Sequence, residues 1–135
     1  MGGRPHPPGE GDRFLPKRAP IDSYGNGGFR FAGMSHQGSL LILDGGMHPW
    51  PPRSFSEVTA DDFAAVLQAD RRPAFLLFGT GSEMRLPSAD LRRVFAEACI
   101  ALEAMTTGAA VRTYNILLAE KRDVSAALLA VEAVR

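Results

Sequence analysis

The chain is expected to fold as an α/β domain, and three patterns predict this. Ala74–Phe78 (AFLLF) is a short all-apolar run held between Pro73 and Gly79, which suits a strand buried on both faces. Gly108–Glu120 carries Ala110, Val111, Tyr114, Leu117 and Leu118 on one stripe at helical spacing. Phe29 and Phe31 alternate with Arg30 and Ala32, and the apolar run Ser39–Leu43 (SLLIL) follows. These two segments read as strands paired in an antiparallel hairpin. At 135 residues the chain fits one domain and can bury a core without a disulfide or a metal.

The elements follow in chain order. Residues 1–19 are rich in proline and glycine with little to bury, so a disordered tail is expected, dispensable for folding. A single α/β domain is expected over 20–135. Tyr24–Gly28 is a turn-rich cluster, and Ser35–Gly38 reads as the hairpin turn. Asp44-Gly45-Gly46 ends the second strand, and the prolines of Met47–Pro52 exclude a helix and a central strand. Trp50 is expected to plug one edge of the core. Thr59 can cap a helix whose first turn holds Asp61 and Asp62, with Phe63, Val66 and Leu67 facing inward and Arg71-Arg72-Pro73 ending it. Pro87-Ser88 opens another helix with Leu91, Val94, Phe95 and Ala98 on its inner face. Residues 98–105 and 123–131 are each compatible with strand or helix.

Composition narrows the function. Fifteen basic residues balance fifteen acidic ones, so the electrostatic footprint of a general nucleic-acid binder is missing. No apolar run approaches the ~20 residues of a membrane span, and the N-terminus has no apolar signal region. The expected location is the cytoplasm. The lone Cys99 lies in an apolar setting and is expected to be a buried, inert thiol. His6, His36 and His48 show no metal-ligand spacing, and no GxSxG elbow occurs. No cofactor, no metal and no catalytic residue is expected.

If the strand–helix–strand segments form parallel crossovers, their loops gather at the carboxyl ends of the strands, where ligands bind in such sheets. Two loops lie there: Gly79-Thr80-Gly81, and Thr106-Thr107-Gly108. The second opens directly into a helix, whose free N–H groups favour an anion. Gly108, Arg112 and Asn115 share one face of that helix. The candidate ligand site is therefore Gly79, Thr80, Gly81, Thr107, Gly108, Arg112 and Asn115. Opposing it, the glycines suit tight turns and close packing, and Arg112 and Asn115 suit hydrogen bonds between elements. Met84 stands where a dinucleotide fingerprint needs its third glycine, and no GxxxxGK[ST] loop occurs.

Three segments, FLLFGTG, MTTGAAVRTYNILLAE and GMHPW, resemble a family of small proteins of unknown function found in bacteria, archaea and mitochondria. The mitochondrial members include respiratory complex I assembly factor 3. The resemblance spans roughly residues 21–134. It implies a three-layer α/β domain with a mixed sheet, an N-terminal β-hairpin and two parallel β-α-β crossovers, and so makes 98–105 and 123–131 strands. It also implies a non-enzymatic assembly or accessory role through an unidentified protein partner. Nucleic acid and membrane insertion are not expected; self-association as a homo-oligomer is compatible with it. The chain departs from the family at Thr106, usually aspartate, and at Cys99 and Lys121, where glycine is common.

Overall fold

The computed structural model describes residues 17–132. Two sheets are present, one of three strands and one of five, in the order β1-β2-β3 and β5-β4-β8-β6-β7. The strands are β1 Ile21–Gly25, β2 Gly28–Phe31, β3 Met34–Gln37, β4 Ser39–Leu43, β5 Gly46–Trp50, β6 Phe75–Gly79, β7 Ala101–Met105 and β8 Ala126–Leu128. The α-helices are α1 Ala64–Leu67, α2 Ala89–Glu97 and α3 Thr107–Ala119. The α/β class, the mixed sheet and the two parallel crossovers are as the sequence and its resemblance predict.

The first pairing differs from expectation. β2 pairs not with Ser39–Leu43 but with β1 and β3, both antiparallel. The chain reverses at Asn26-Gly27 and again at Ala32-Gly33, with φ of 52° and 79°, then 51° and 76°. Positive φ at both central residues matches the twist of a tight hairpin. The expected turn at Ser35–Gly38 is instead mostly β3; only Gly38, at φ 100°, redirects the chain. β4 then pairs antiparallel with β5 and with β8. β5 is an edge strand, which tolerates Pro49 because its outer N–H positions need no ladder partner.

Helix capping follows the sequence closely. The Thr59 N–H donates to Asp62 Oδ2 at 2.8 Å, opening a 3-10 turn at Ala60–Phe63 that runs into the single turn of α1, which stops at Leu67 rather than at the expected Arg71-Arg72-Pro73. Ser88 Oγ accepts the Leu91 N–H at 3.1 Å to cap α2. The helix expected over Gly108–Glu120 begins one residue earlier, because Thr106 caps it by accepting the Ala109 N–H at 3.1 Å.

Alternation along the central strands divides the core between two faces. Leu40, Ile42, Leu77, Ala126 and Leu128 meet Phe29 and Phe31 of the small sheet and Ala110, Val111 and Tyr114 of α3. Leu41, Leu76, Phe78 and Ala127 meet Trp50, Phe63, Val66, Leu91 and Phe95. The result is three layers, with the five-stranded sheet in the middle. Trp50 does plug an edge: it is 3% exposed, its Nε1–H donates to the Asp62 carbonyl at 2.8 Å, and it sits tilted on Phe63.

Residues 1–16 of the expected tail lie outside the described residues. At the end of that stretch, Arg18 pairs with Asp123 at 2.7 Å and with Asp44 at 3.6 Å. The Ala19 carbonyl accepts the Tyr114 hydroxyl at 2.8 Å. Cys99 is exposed, not buried as expected, because it occupies the left-handed turn that ends α2, at φ 60°.

Candidate functional site at the carboxyl edge of the sheet

β6 and β7 are parallel neighbours, yet their connections part. The loop after β6 leads to α2 on one face of the sheet, and the loop after β7 leads to α3 on the other. β8 then returns beside β6, on the side away from β7. Two parallel crossovers running in opposite directions along the sheet make a topological switch point, where open α/β sheets bind ligands.

The two expected loops do meet there, and they are bonded to each other. The Thr80 N–H donates to the Met105 carbonyl at 2.8 Å, and the Thr107 N–H to the Gly81 carbonyl at 2.8 Å. The Thr80 hydroxyl donates to the Glu83 carbonyl at 2.7 Å and accepts the Arg85 N–H at 3.1 Å. Thr107 Oγ1 accepts the Gly81 N–H at 3.0 Å and donates to the Leu129 carbonyl at 2.7 Å, tying the ends of β6, β7 and β8 together. Both threonines are buried. A β-carbon on Gly79 would lie 2.9 Å from Thr107 Cα, so this position admits only glycine without a backbone shift.

Gly108 and Arg112 border a hollow of about 200 Å³ shared with Tyr24, Gly81 and Thr106. A β-carbon on Gly108 would fall on the Tyr24 hydroxyl. Tyr24 thus belongs to the same place as the predicted residues, but only the pairing of β1 with β2 and the packing of α3 bring it there. Asn115 points elsewhere: its Oδ1 accepts the Ile21 N–H and its Nδ2 donates to the Ile21 carbonyl, both at 2.9 Å. It clamps β1 onto α3.

Gly81 also lines a second, larger cleft of about 570 Å³, bounded by Arg53 and Phe55 on one side and by Ser82, Glu83 and Arg85 on the other. None of these five residues stands out in sequence; they come from loops about thirty residues apart. Among the described residues no group of three His, Cys, Asp or Glu side chains is arranged to hold a metal. No helix among them is long and apolar enough to cross a membrane.

The fold and its edge therefore define a three-layer α/β domain with a concave switch point whose strand ends are locked by two threonines. The chain belongs to the family described as Protein of unknown function (DUF498/DUF598), matched over residues 21–129. An uncharacterised protein of Rhodobacter capsulatus is 38% identical over 110 residues, covering 82% of this chain and 83% of the relative. NADH dehydrogenase (ubiquinone) 1 alpha subcomplex assembly factor 3 of Homo sapiens is 28% identical over 109 residues. That match covers 81% of this chain but only 59% of the human protein. Among solved structures, a Bartonella henselae protein described as an outer membrane protein shares 46% identity at a TM-score of 0.83, covering 88% of this chain and 100% of that one.

Proposed function

We propose that this chain is a non-enzymatic accessory factor that acts by protein contacts, in the biogenesis of respiratory complex I. The observation that carries this is how the switch point is used. Thr80 and Thr107, the hydroxyls best placed to act on a ligand, are engaged by backbone groups: Thr80 by Glu83 and Arg85 of the loop after β6 and by Met105 at the end of β7, Thr107 by Gly81 and Leu129. Such an edge is a rigid platform for docking. Beside it, Met84 and Leu86 are 52% and 66% exposed on one loop, apolar surface of the kind a partner covers. Relatedness to the assembly factors agrees. The test is to delete the gene in a bacterium that carries this chain and resolve its membranes on native gels. Loss of assembled complex I, restored by the wild-type chain but not by a Met84→Asp/Leu86→Asp variant, is expected. Normal complex I in the deletion strain would remove this function.

A second reading has a specific observation behind it. Arg112 is exposed and borders the hollow beside Gly108 and Tyr24, at the positive end of α3. In this reading Gly108 and Arg112 bind a small anion and Gly81 lines the hollow beside them, while Gly79, Thr80 and Thr107 hold the strand ends behind it and Asn115 holds β1 on α3. Titration of phosphate and sulfate by calorimetry tests it. Binding that Arg112→Ala weakens supports it; no heat of binding with the wild type counts against it.

A further inference from the structure

The geometry points to the larger cleft, between Arg53 and Arg85, as a binding site for a small organic anion with an apolar or aromatic body. This goes beyond both functional readings and uses neither Arg112 nor the exposed loop apolar residues. The cleft lies over the carboxyl ends of β6 and β8, and its volume of about 570 Å³ falls within the usual range for small-molecule pockets.

Its charges are arranged unevenly. Glu57, the acid nearest Arg53 in sequence, accepts the Arg53 backbone N–H at 2.9 Å. The ion pairs among the described residues leave the Arg53 guanidinium without a carboxylate. Arg85 meets Glu83 at 3.5 Å, with side chains 56% and 76% exposed, a weak surface pair that a better anion can displace. The other acid on the cleft, Glu132, lies against the Gly27 turn. The unpaired positive charge is thus Arg53, and guanidinium groups bind phosphate and carboxylate through paired, charge-assisted hydrogen bonds. Beside Arg53, Phe55 is half-buried, stacks on Phe78 with ring centroids 6.1 Å apart and planes 19° apart, and lines the cleft. It is a fixed aromatic surface next to a free cation, so the ligand's anionic head seats at Arg53 and its body against Phe55.

The full chain, labelled for NMR, is titrated with phenyl phosphate, benzoate and inorganic phosphate. Saturable shifts are expected at the amides of Ser54–Ser56 and Gly81–Arg85. Arg53→Gln should weaken phenyl phosphate at least tenfold, while Arg112→Ala leaves it unchanged. Phe55→Leu, checked for an intact amide spectrum, should abolish the preference for phenyl phosphate over inorganic phosphate. The ratio of phenyl phosphate to benzoate then tells whether the head is phosphate or carboxylate. Absence of saturable shifts in these two segments, or binding indifferent to Arg53→Gln, overturns the site. Shifts confined to Gly108 and Arg112 overturn it as well, and support the smaller hollow instead. Neither result bears on complex I assembly.

Discussion

Cys99 and Lys121 stand in the left-handed region at helix ends, at φ 60° and 61°, where glycine is the usual occupant. Each is the residue after the cap of a helix closed by the same pair of bonds. After α2, the Cys99 N–H reaches the Ala96 carbonyl and the Ile100 N–H reaches that of Phe95, both at 3.1 Å. After α3, Lys121 reaches Leu118 and Arg122 reaches Leu117, both at 2.9 Å. These are Schellman closures, which favour glycine because a β-carbon in this region clashes with the backbone. They account for the glycines that the family resemblance leads one to expect at these two positions. Cys99→Gly and Lys121→Gly should each raise stability by about 1 kcal/mol, read from urea midpoints at unchanged slope. Thr106 has a similar account: it caps α3, a place that aspartate fills equally well. Tyr114 offers a pH test. Burial raises its phenol pKa above the ordinary value of about 10. Above pH ~10 the unfolded chain therefore releases this proton while the folded chain keeps it. The stabilising contribution is complete below pH ~10 and is lost as pH climbs toward the folded pKa. Tyr114→Phe should flatten that alkaline decline and, by losing the bond to the Ala19 carbonyl, cost about 1 kcal/mol at neutral pH. Denaturation across alkaline pH checks both.

At the scale of elements, the junction of β6, β7 and β8 depends on one hydroxyl. Thr107→Val would leave the Gly81 N–H and the Leu129 carbonyl without their partner. Buried groups left unpaired cost about 1–3 kcal/mol each, so a loss on the order of 3 kcal/mol is expected from urea denaturation, with Thr107→Ser losing far less. Gly79→Ala tests the same junction from the other side. Its β-carbon meets the backbone of α3, not a flexible side-chain end, and overpacking of this kind costs about 1–3 kcal/mol. Both variants should keep the fold, since the strand ladders on either side are long enough to hold it.

At the scale of the molecule, Arg18 and Ala19 bond to the body of the fold ahead of β1. Arg18 and Arg71 share Asp44 and Asp123, joining the entry to β1 with three loops at the end of the sheet opposite the clefts. A chain beginning at Lys17 should melt as the full chain does. One beginning at Pro20 loses Arg18 and the carbonyl that Tyr114 bonds, and should be less stable by about 2 kcal/mol; paired thermal melts decide. Hydrogen exchange should rank the strands by position. The Leu77 N–H of β6, bonded to Ser125, and the Leu129 N–H, bonded to Gly79, lie mid-sheet and should exchange slowest. The edge strands β5 and β7 should exchange faster.

Patterns that act within one element were legible in the sequence. The all-apolar run became β6, shifted by one residue to Phe75–Gly79. The stripe at 110, 111 and 114 became the buried face of α3. Ser88 and Thr59 begin their helices because an N-cap needs only its own next turn. Residues 98–105 and 123–131 could not be assigned that way. Their short apolar stretches have no period that separates strand from helix, so the family resemblance was needed to assign them. Pairing was also beyond the sequence. The Ala32-Gly33 turn hid because alanine seldom adopts positive φ, and β3 hid because its exposed Ser35 and Gln37 alternate with only half-buried residues. The candidate sites divide in the same way. The meeting of the Gly79–Gly81 and Thr106–Gly108 loops follows from strand order and was foreseeable. That Thr80 and Thr107 turn inward, that Asn115 holds β1, and that Tyr24, Arg53, Phe55 and Arg85 line the hollows was decided only by tertiary structure. Those contacts join residues far apart in the chain, and no local pattern specifies which side chains a packed sheet will bring together.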